Sequence, residues 1–137
     1  MKLLIDVNVI IDMLSGREPF TEDSTKVFSL CTDRQAEGYI AMHTLSTVFY
    51  ILRKYEKEEK VRKDLLDLCK ICKIAYADQD AVICAIRNES FRDFEDCLQT
   101  ECAKAVGADY IVTRNAGDFA ESSVPAITPA DFLNLPL

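Results

Sequence analysis

Short apolar runs rich in β-forming residues alternate along the chain with longer stretches whose apolar residues recur every three or four positions. The short runs lie at residues 3–5, 39–41, 73–77 and 110–113, with a weaker one near Ile127. Strands that alternate with helices in this way are typical of a parallel sheet. The pattern therefore predicts an α/β three-layer sandwich of Rossmann-type topology, with a parallel sheet of four to five strands flanked by helices.

Four of the longer stretches have an apolar stripe on one face, as expected for helices that pack on a sheet. The stripes contain Val27, Phe28 and Cys31; Leu45, Val48, Phe49 and Leu52; Val61, Leu65, Leu68, Cys69 and Cys72; and Phe94, Cys97, Leu98, Cys102 and Ala105. Gly107 follows the last stripe and is a typical helix-ending residue. Residues 53–64 are dense in charges, which indicates a solvated connection between helices.

The size and composition of the chain favour one compact domain. At 137 residues it is long enough for a single core, and we expect residues 1–137 to form one domain. Asp6, Asn8 and Asp12 interrupt the first apolar run too early for a signal peptide, and no stretch approaches the length of a membrane span. These features predict a soluble, cytoplasmic protein.

The six cysteines are mostly placed among apolar neighbours at helical spacing. In the absence of a secretory signal, this spacing favours buried, reduced thiols over disulfides. Cys69 and Cys72 form a CxxC motif, but the sequence has no second such pair and only one histidine. A closed zinc site with four ligands is therefore hard to assemble.

The formal net charge of −7 would repel a polyanion such as RNA at long range. RNA binding would then require a bound cation or a local basic patch. Arg114 is the best placed residue for a phosphate contact, and residues 53–63 contain a looser group of lysines and arginines. Acidic residues are interspersed in that group, so a solvated surface is its favoured interpretation.

Three aspartates are predicted to meet at one edge of the sheet. Asp6 directly follows the first predicted strand and Asp118 follows the fourth, so both lie at the carboxyl edge, where open parallel sheets bind ligands. Asp96 lies in the first turn of the helix that leads to the fourth strand, and this helix must begin at the same edge. Taken singly, each aspartate has a structural alternative, as a helix cap, an N-terminal helix charge or a turn residue.

Carboxylates that meet in this way repel one another, by roughly 4 kcal/mol for two unit charges about 4 Å apart at an effective dielectric constant of about 20. Such a cluster normally needs a cation. Oxygen ligands without accompanying histidine or cysteine favour Mg²⁺ or Mn²⁺, which can activate water and stabilise a phosphoryl transition state. The residues therefore predict a magnesium or manganese site formed by Asp6, Asp96 and Asp118.

Three segments resemble motifs of the PIN domain, the nuclease fold of VapC-type toxins. They are LLIDVNVIIDML at residues 3–14, DFEDCLQ at residues 93–99 and ADYIVTRNAGDF at residues 108–119. The resemblance implies a divalent-metal-dependent ribonuclease with an RNA substrate, homodimers and an antitoxin partner. It also implies that Asp6, Asp96 and Asp118 are the catalytic, metal-binding acids.

The same resemblance implies that Asn8, Thr113 and Asn115 support the site by hydrogen bonding. Asp93, one helical turn before Asp96, is either a further ligand or an exposed charge, and exposure is the favoured interpretation.

One position departs from the family pattern. The family usually has a glutamate in the first turn of the helix after the second strand, whereas this chain has Thr47, within HTLSTVFYILRK at residues 43–54. Loss of an acidic ligand predicts weaker metal binding. The alternative function is therefore a catalytically weakened or inactive PIN domain that acts as an RNA-binding or protein-interaction module.

His43, the only histidine, directly follows the second predicted strand. It is a candidate general base or phosphate contact, although hydrogen bonding at a helix entry is the more common role of such a residue. Thr44 is the predicted N-cap of the following helix, and Thr47, then its third residue, is expected to be a supporting residue of the site.

Overall fold

The computed structural model describes residues 1–136 as a parallel sheet of five strands covered by helices. The strands are β1 (Lys2–Ile5), β2 (Glu37–Ala41), β3 (Cys72–Ala75), β4 (Tyr110–Val112) and β5 (Ala126–Ile127). Their order across the sheet is β3-β2-β1-β4-β5. The predicted α/β sandwich with a parallel sheet is confirmed, and the weak run near Ile127 is its fifth strand.

Seven α-helices lie in residues 1–136: α1 (Val7–Ser15), α2 (Thr21–Thr32), α3 (Met42–Leu52), α4 (Glu58–Ile71), α5 (Gln79–Arg87), α6 (Phe94–Val106) and α7 (Pro129–Leu133). A short 3-10 helix covers Ala116–Phe119. Gly107 ends α6 in the left-handed conformation, at a φ of 68°, which residues with a Cβ rarely adopt. None of the helices in this part of the chain is long and apolar enough to cross a lipid bilayer.

The strand order creates a crevice beside β1. From β1 the sheet extends through β2 to β3 on one side, and through β4 to β5 on the other. Such a reversal is where open parallel sheets bind ligands, at the carboxyl ends of the strands. Ile5 pairs with Val112 across β1 and β4, so the next two residues, Asp6 and Thr113, leave the sheet side by side.

The core lies on both faces of this sheet because side chains alternate along each strand. In β1, Leu3 and Ile5 belong to the cluster beneath α1 and α2, whereas Leu4 belongs to the opposite cluster with Ile111 and residues of α6. All four side chains are fully buried. Burial of each contributes about 1.5–3 kcal/mol to folding, which holds the carboxyl ends of β1 and β4 in place.

The cysteines differ in part from the expectation of buried thiols. All six are free, and the buried ones are Cys31, Cys72, Cys97 and Cys102. Cys69 and Cys84 are exposed, so the prediction was wrong for these two. The helical stripe that joined Cys69 to Cys72 ends early, because α4 stops at Ile71 and Cys72 already has an extended backbone as the first residue of β3.

Helix α3 begins earlier than predicted. Its N-cap is Ala41, the last residue of β2, which makes no side-chain capping bond. Thr44 was therefore wrongly predicted as the cap, since it lies inside the helix and is fully buried. No loop separates β2 from α3, so the helix starts at Met42 and Thr47 lies in its second turn.

Candidate functional site

Asp6 is the best-supported acid at the carboxyl edge. It is the N-cap of α1, is only 7% exposed, and accepts a hydrogen bond from the backbone N–H of Val7 at 2.7 Å. The Thr113 hydroxyl donates to it at 2.8 Å and the Asn8 amide at 3.3 Å. The side-chain amide of Gln99 is the fourth donor. Four donors around one carboxylate hold it in a single orientation and stabilise its charge.

Thr113 and Asn8 also hold the loop after β4 against the start of α1. The buried Thr113 hydroxyl accepts from the backbone N–H of Asn115 at 3.1 Å and from the Asn8 amide at 3.4 Å. The side-chain Oδ1 of Asn8 accepts from the backbone N–H of Arg114 at 3.1 Å. Asn115 thus joins the network through its backbone, whereas its side chain is exposed. The structure brings these predicted supporting residues together around Asp6.

Gln99 is a member of the site that the sequence analysis missed. Its side chain is 1% exposed, its Nε2 donates to Asp6, and its Oε1 has no hydrogen-bond partner within residues 1–136. Gln99 follows Asp96 by three positions in α6, so the two lie on the same helix face. That spacing was the available signal, but a glutamine at this position is also common on an ordinary helix surface.

Asp96 is the most perturbed acid of the site. It is the third residue of α6 and is partly buried. Burial raises its pKa from 3.8 to about 7, and the negative charges of Asp6, Asp93, Asp118 and Glu95 add to this rise, Asp6 most strongly. The charges of Asp6 and Asp118 thus both act on Asp96, whereas a metal ion shared by the three aspartates stays a prediction.

The other acids lie around this pair. Asp93 is exposed and caps α6, since its carboxylate accepts from the backbone N–H of Glu95 at 2.9 Å. Asp118 is exposed in the short 3-10 helix, where its backbone N–H donates to the Asn115 carbonyl at 3.0 Å. Asp118 therefore lies on the rim of the crevice, while Asp6 lies at its floor.

No lysine, arginine or histidine of residues 1–136 forms an ion pair with Asp6, Asp93, Glu95, Asp96 or Asp118. Within the same residues, no three acidic, histidine or cysteine side chains are already arranged to hold a metal ion. Mutual repulsion keeps uncompensated carboxylates apart, and Mg²⁺ retains several waters and needs only one or two direct carboxylates. The all-oxygen donor set and the unpaired Gln99 Oε1 are chemically suited to such an ion.

His43 and Thr47 lie on α3, beside the acids. Burial lowers the pKa of His43, while the charge of Asp6 and the backbone of Glu95 oppose this shift. The Thr47 hydroxyl donates to the His43 carbonyl at 3.2 Å, one turn back along the helix. The hydroxyl of Thr47 therefore has its hydrogen-bond partner within α3, as is common for threonines in helices.

Arg114 is engaged inside the protein. Its Nε lies 2.6 Å from Oδ2 of Asp12, at an angle unsuited to a hydrogen bond, and its Nη2 donates to Oδ1 at 3.4 Å. The guanidinium also lies 4.3 Å from the ring centre of Phe20. Asp12 is fully buried, and its pairing was not foreseen from the sequence. The phosphate contact of Arg114 stays a prediction, whereas its structural contacts are evident.

Residues 2–117 match the PIN domain family model. The chain belongs to the PIN domain family. Ribonuclease VapC1 of Aquifex aeolicus (strain VF5) is 24% identical over 134 residues, which cover 96% of this chain and 92% of that protein. The resemblance carried by the three sequence motifs is thus confirmed for the family.

Solved structures with the same PIN fold include toxins in complexes. VapBC2 from Rickettsia felis, bound to a DNA fragment from its promoter, matches with a TM-score of 0.71 and 15% identity over 93% of this chain and 98% of that one. A toxin–antitoxin complex from Klebsiella pneumoniae matches with a TM-score of 0.69 and 24% identity over 93% and 97% of the two chains. At 15% and 24% identity, the structural similarity shows that these proteins share the fold of this chain.

Proposed function

We propose that this PIN domain protein is a ribonuclease that depends on Mg²⁺ or Mn²⁺, hydrolyses RNA phosphodiester bonds, and is the toxin of a toxin–antitoxin pair. The observation that carries the proposal is the group of acids around Asp96, which has no cationic partner in the part of the chain that the structure describes. The ribonuclease relative from Aquifex aeolicus supports the reaction class.

In this proposal, Asp6, Asp96 and Asp118 hold the ion and are the catalytic acids. A bound divalent ion supplies an activated water at neutral pH and neutralises the charge that develops on the phosphate. Asp6 is oriented for this role by the side chains of Thr113, Asn8 and Gln99. Asp118, on the rim, faces the solvent from which the RNA arrives.

An antitoxin is the proposed protein partner. The solved relatives from Rickettsia felis and Klebsiella pneumoniae are toxin–antitoxin assemblies, which supports this choice. An antitoxin would also have to keep RNA from the acidic crevice. A homodimer is the oligomeric state proposed for the free toxin, and light scattering after gel filtration would measure it directly.

The proposal is tested by Asp6→Asn. This change removes the charge of the central acid but keeps its shape, so we expect RNA cleavage with Mn²⁺ to be abolished and cleavage by the wild type to stop in EDTA. Asp67→Asn, at an exposed position of α4, is the matched control and should retain full activity. Equal cleavage by Asp6→Asn and the wild type would rule out this site.

The alternative is a weakened or inactive PIN domain that binds RNA or protein. It is favoured by Thr47, whose hydroxyl is used within α3 where the family usually has a glutamate. Thr47→Glu separates the two functions. A large gain in both metal affinity and cleavage would indicate that the natural site has degenerated, whereas no gain would indicate a site that works without this acid.

A further inference from the structure

Glu95 lies on the side of Asp6 that faces α3, and the family pattern does not account for its carboxylate. The imidazole of His43 experiences the charge of Asp6 and lies against the backbone of Glu95. Thr47 lies one turn farther along α3 and bonds back to the His43 carbonyl. The start of α6 at Glu95 is therefore close to the part of α3 from which a family glutamate would extend.

Glu95 itself is placed unusually for a glutamate. It is the second residue of α6 and is partly buried. Glu95 precedes Gln99 by four positions, so the two side chains lie on the face of α6 that contacts Asp6. No cationic side chain within residues 1–136 pairs with Glu95. A partly buried carboxylate close to another is costly unless a cation lies between them.

Gln99 gives an independent indication of a ligand at this place. The residue is only 1% exposed and its Nε2 donates to Asp6, yet its Oε1 has no partner among the described residues. A buried carbonyl oxygen without a donor is costly. A hydrated cation beside Asp6 would satisfy this oxygen through one of its waters.

We propose that Glu95 provides the acidic ligand that Thr47 cannot, so that Glu95 joins Asp6, Asp96 and Asp118 around the divalent ion. Neighbouring residues of a helix point about 100° apart, so Glu95 and Asp96 can approach one ion from different sides while Asp6 approaches from the end of β1. The second acid of the site is then donated by α6 instead of α3. This inference rests on the proposed function, because it assigns a ligand to the same ion.

The test is Mn²⁺ binding to the full-length protein, measured by isothermal titration calorimetry without RNA. We expect Glu95→Gln to weaken Mn²⁺ binding at least about tenfold, since it removes a negatively charged ligand. Glu89→Gln is the matched control, at an exposed position shortly before α6, and should bind Mn²⁺ like the wild type. Circular dichroism of the metal-free variants checks that both are folded.

Rescue distinguishes a ligand from a general charge effect. Adding Thr47→Glu to Glu95→Gln returns an acid from the α3 side and should restore Mn²⁺ affinity to within about threefold of the wild type. Unchanged binding in Glu95→Gln overturns the inference, as does a double variant that stays weak. If Asp6→Asn loses Mn²⁺ binding while Glu95→Gln does not, only the role of Glu95 fails. If neither variant loses it, the proposed metal site fails as well.

Discussion

Asp6 receives hydrogen bonds from side chains of α1, α6 and the loop after β4. The donors Asn8 and Thr113 were expected, because the resemblance to the PIN domain implied that they support the site. Gln99 was not expected, because its contact depends on how α6 is rotated about its axis. Its buried Oε1 has no partner within residues 1–136, so this residue lowers stability while it orients Asp6.

We predict that Gln99→Leu separates metal binding from folding. The change removes a donor to Asp6 and should weaken Mn²⁺ binding about 10- to 100-fold, as loss of a residue that orients a ligand typically does. It also removes the unpaired Oε1, so the free energy of unfolding of the metal-free protein should fall by less than about 1 kcal/mol or rise. Calorimetric Mn²⁺ titration and urea unfolding measure the two quantities.

Gln79→Leu, at the exposed start of α5, controls for the added apolar side chain. A Gln99→Leu protein that binds Mn²⁺ normally would show that Gln99 does not orient Asp6. A protein that loses stability and Mn²⁺ affinity in parallel would indicate a role in packing alone.

At the scale of elements, α1 is tied to the loop after β4 by more than the Asp6 network. The fully buried Asp12, two turns into α1, pairs with Arg114 of that loop, and Phe20 covers the guanidinium. Arg114 is 24% exposed at its side chain, so the pair is shielded from screening by solvent. The loop that carries Thr113 and Asn115 is thereby held against the helix that Asp6 caps.

We predict that Arg114→Met lowers the free energy of unfolding by about 3 kcal/mol, because it leaves the Asp12 carboxylate buried without a partner. The double variant Asp12→Leu with Arg114→Met should recover at least half of this loss, since it removes both charges. Urea unfolding of the metal-free proteins measures these differences. A double variant no more stable than Arg114→Met would show that the Arg114 side chain matters through packing on Phe20 and not through its charge.

At the scale of the whole molecule, the negative charge is unevenly compensated. Acids on α2 and α4 pair with lysine or arginine, whereas the acids around Asp96 have no such partner within residues 1–136. The carboxyl edge is thus the place where a cation would stabilise the fold most. A ligand that binds only the folded state raises its stability by mass action.

We predict that Asp96→Asn stabilises the metal-free protein at high pH. The pKa of Asp96 is raised from 3.8 to about 7, so its ionised form is disfavoured in the folded state. The protonated carboxyl therefore contributes stability that is fully present below pH 3.8 and is lost as the pH rises through about 7. A shift of this size corresponds to about 4 kcal/mol for a buried group, and screening at this partly exposed site reduces it to about 1 kcal/mol.

In EDTA at pH 8, Asp96→Asn should therefore be more stable than the wild type by about 1 kcal/mol, and the difference should disappear near pH 4. Added Mn²⁺ should reverse the order, because only the wild type retains this ligand. Urea unfolding at the two pH values, with and without Mn²⁺, measures each step. A variant less stable than the wild type at pH 8 in EDTA would contradict the assigned electrostatics.

The sequence by itself determined the fold class and four strands with a weak fifth, and it predicted the edge at which Asp6, Asp96 and Asp118 would meet. These features follow from periodicity and from the residues at which strands and helices end, which are local properties of the chain. The family resemblance rested on the same segments and is confirmed over residues 2–117.

Only the tertiary structure decided which side chains touch across elements. The positions of Gln99 against Asp6, of Glu95 beside it and of Arg114 on Asp12 depend on the rotation of helices and the pairing of strands. The exposure of Cys69 depends on which face of α4 packs on the protein, and the early start of α3 on the direct connection between β2 and α3. The contacts of Gln99 with Asp6 and of Arg114 with Asp12 join residues 93 and 102 positions apart, and no local pattern in the chain encodes them.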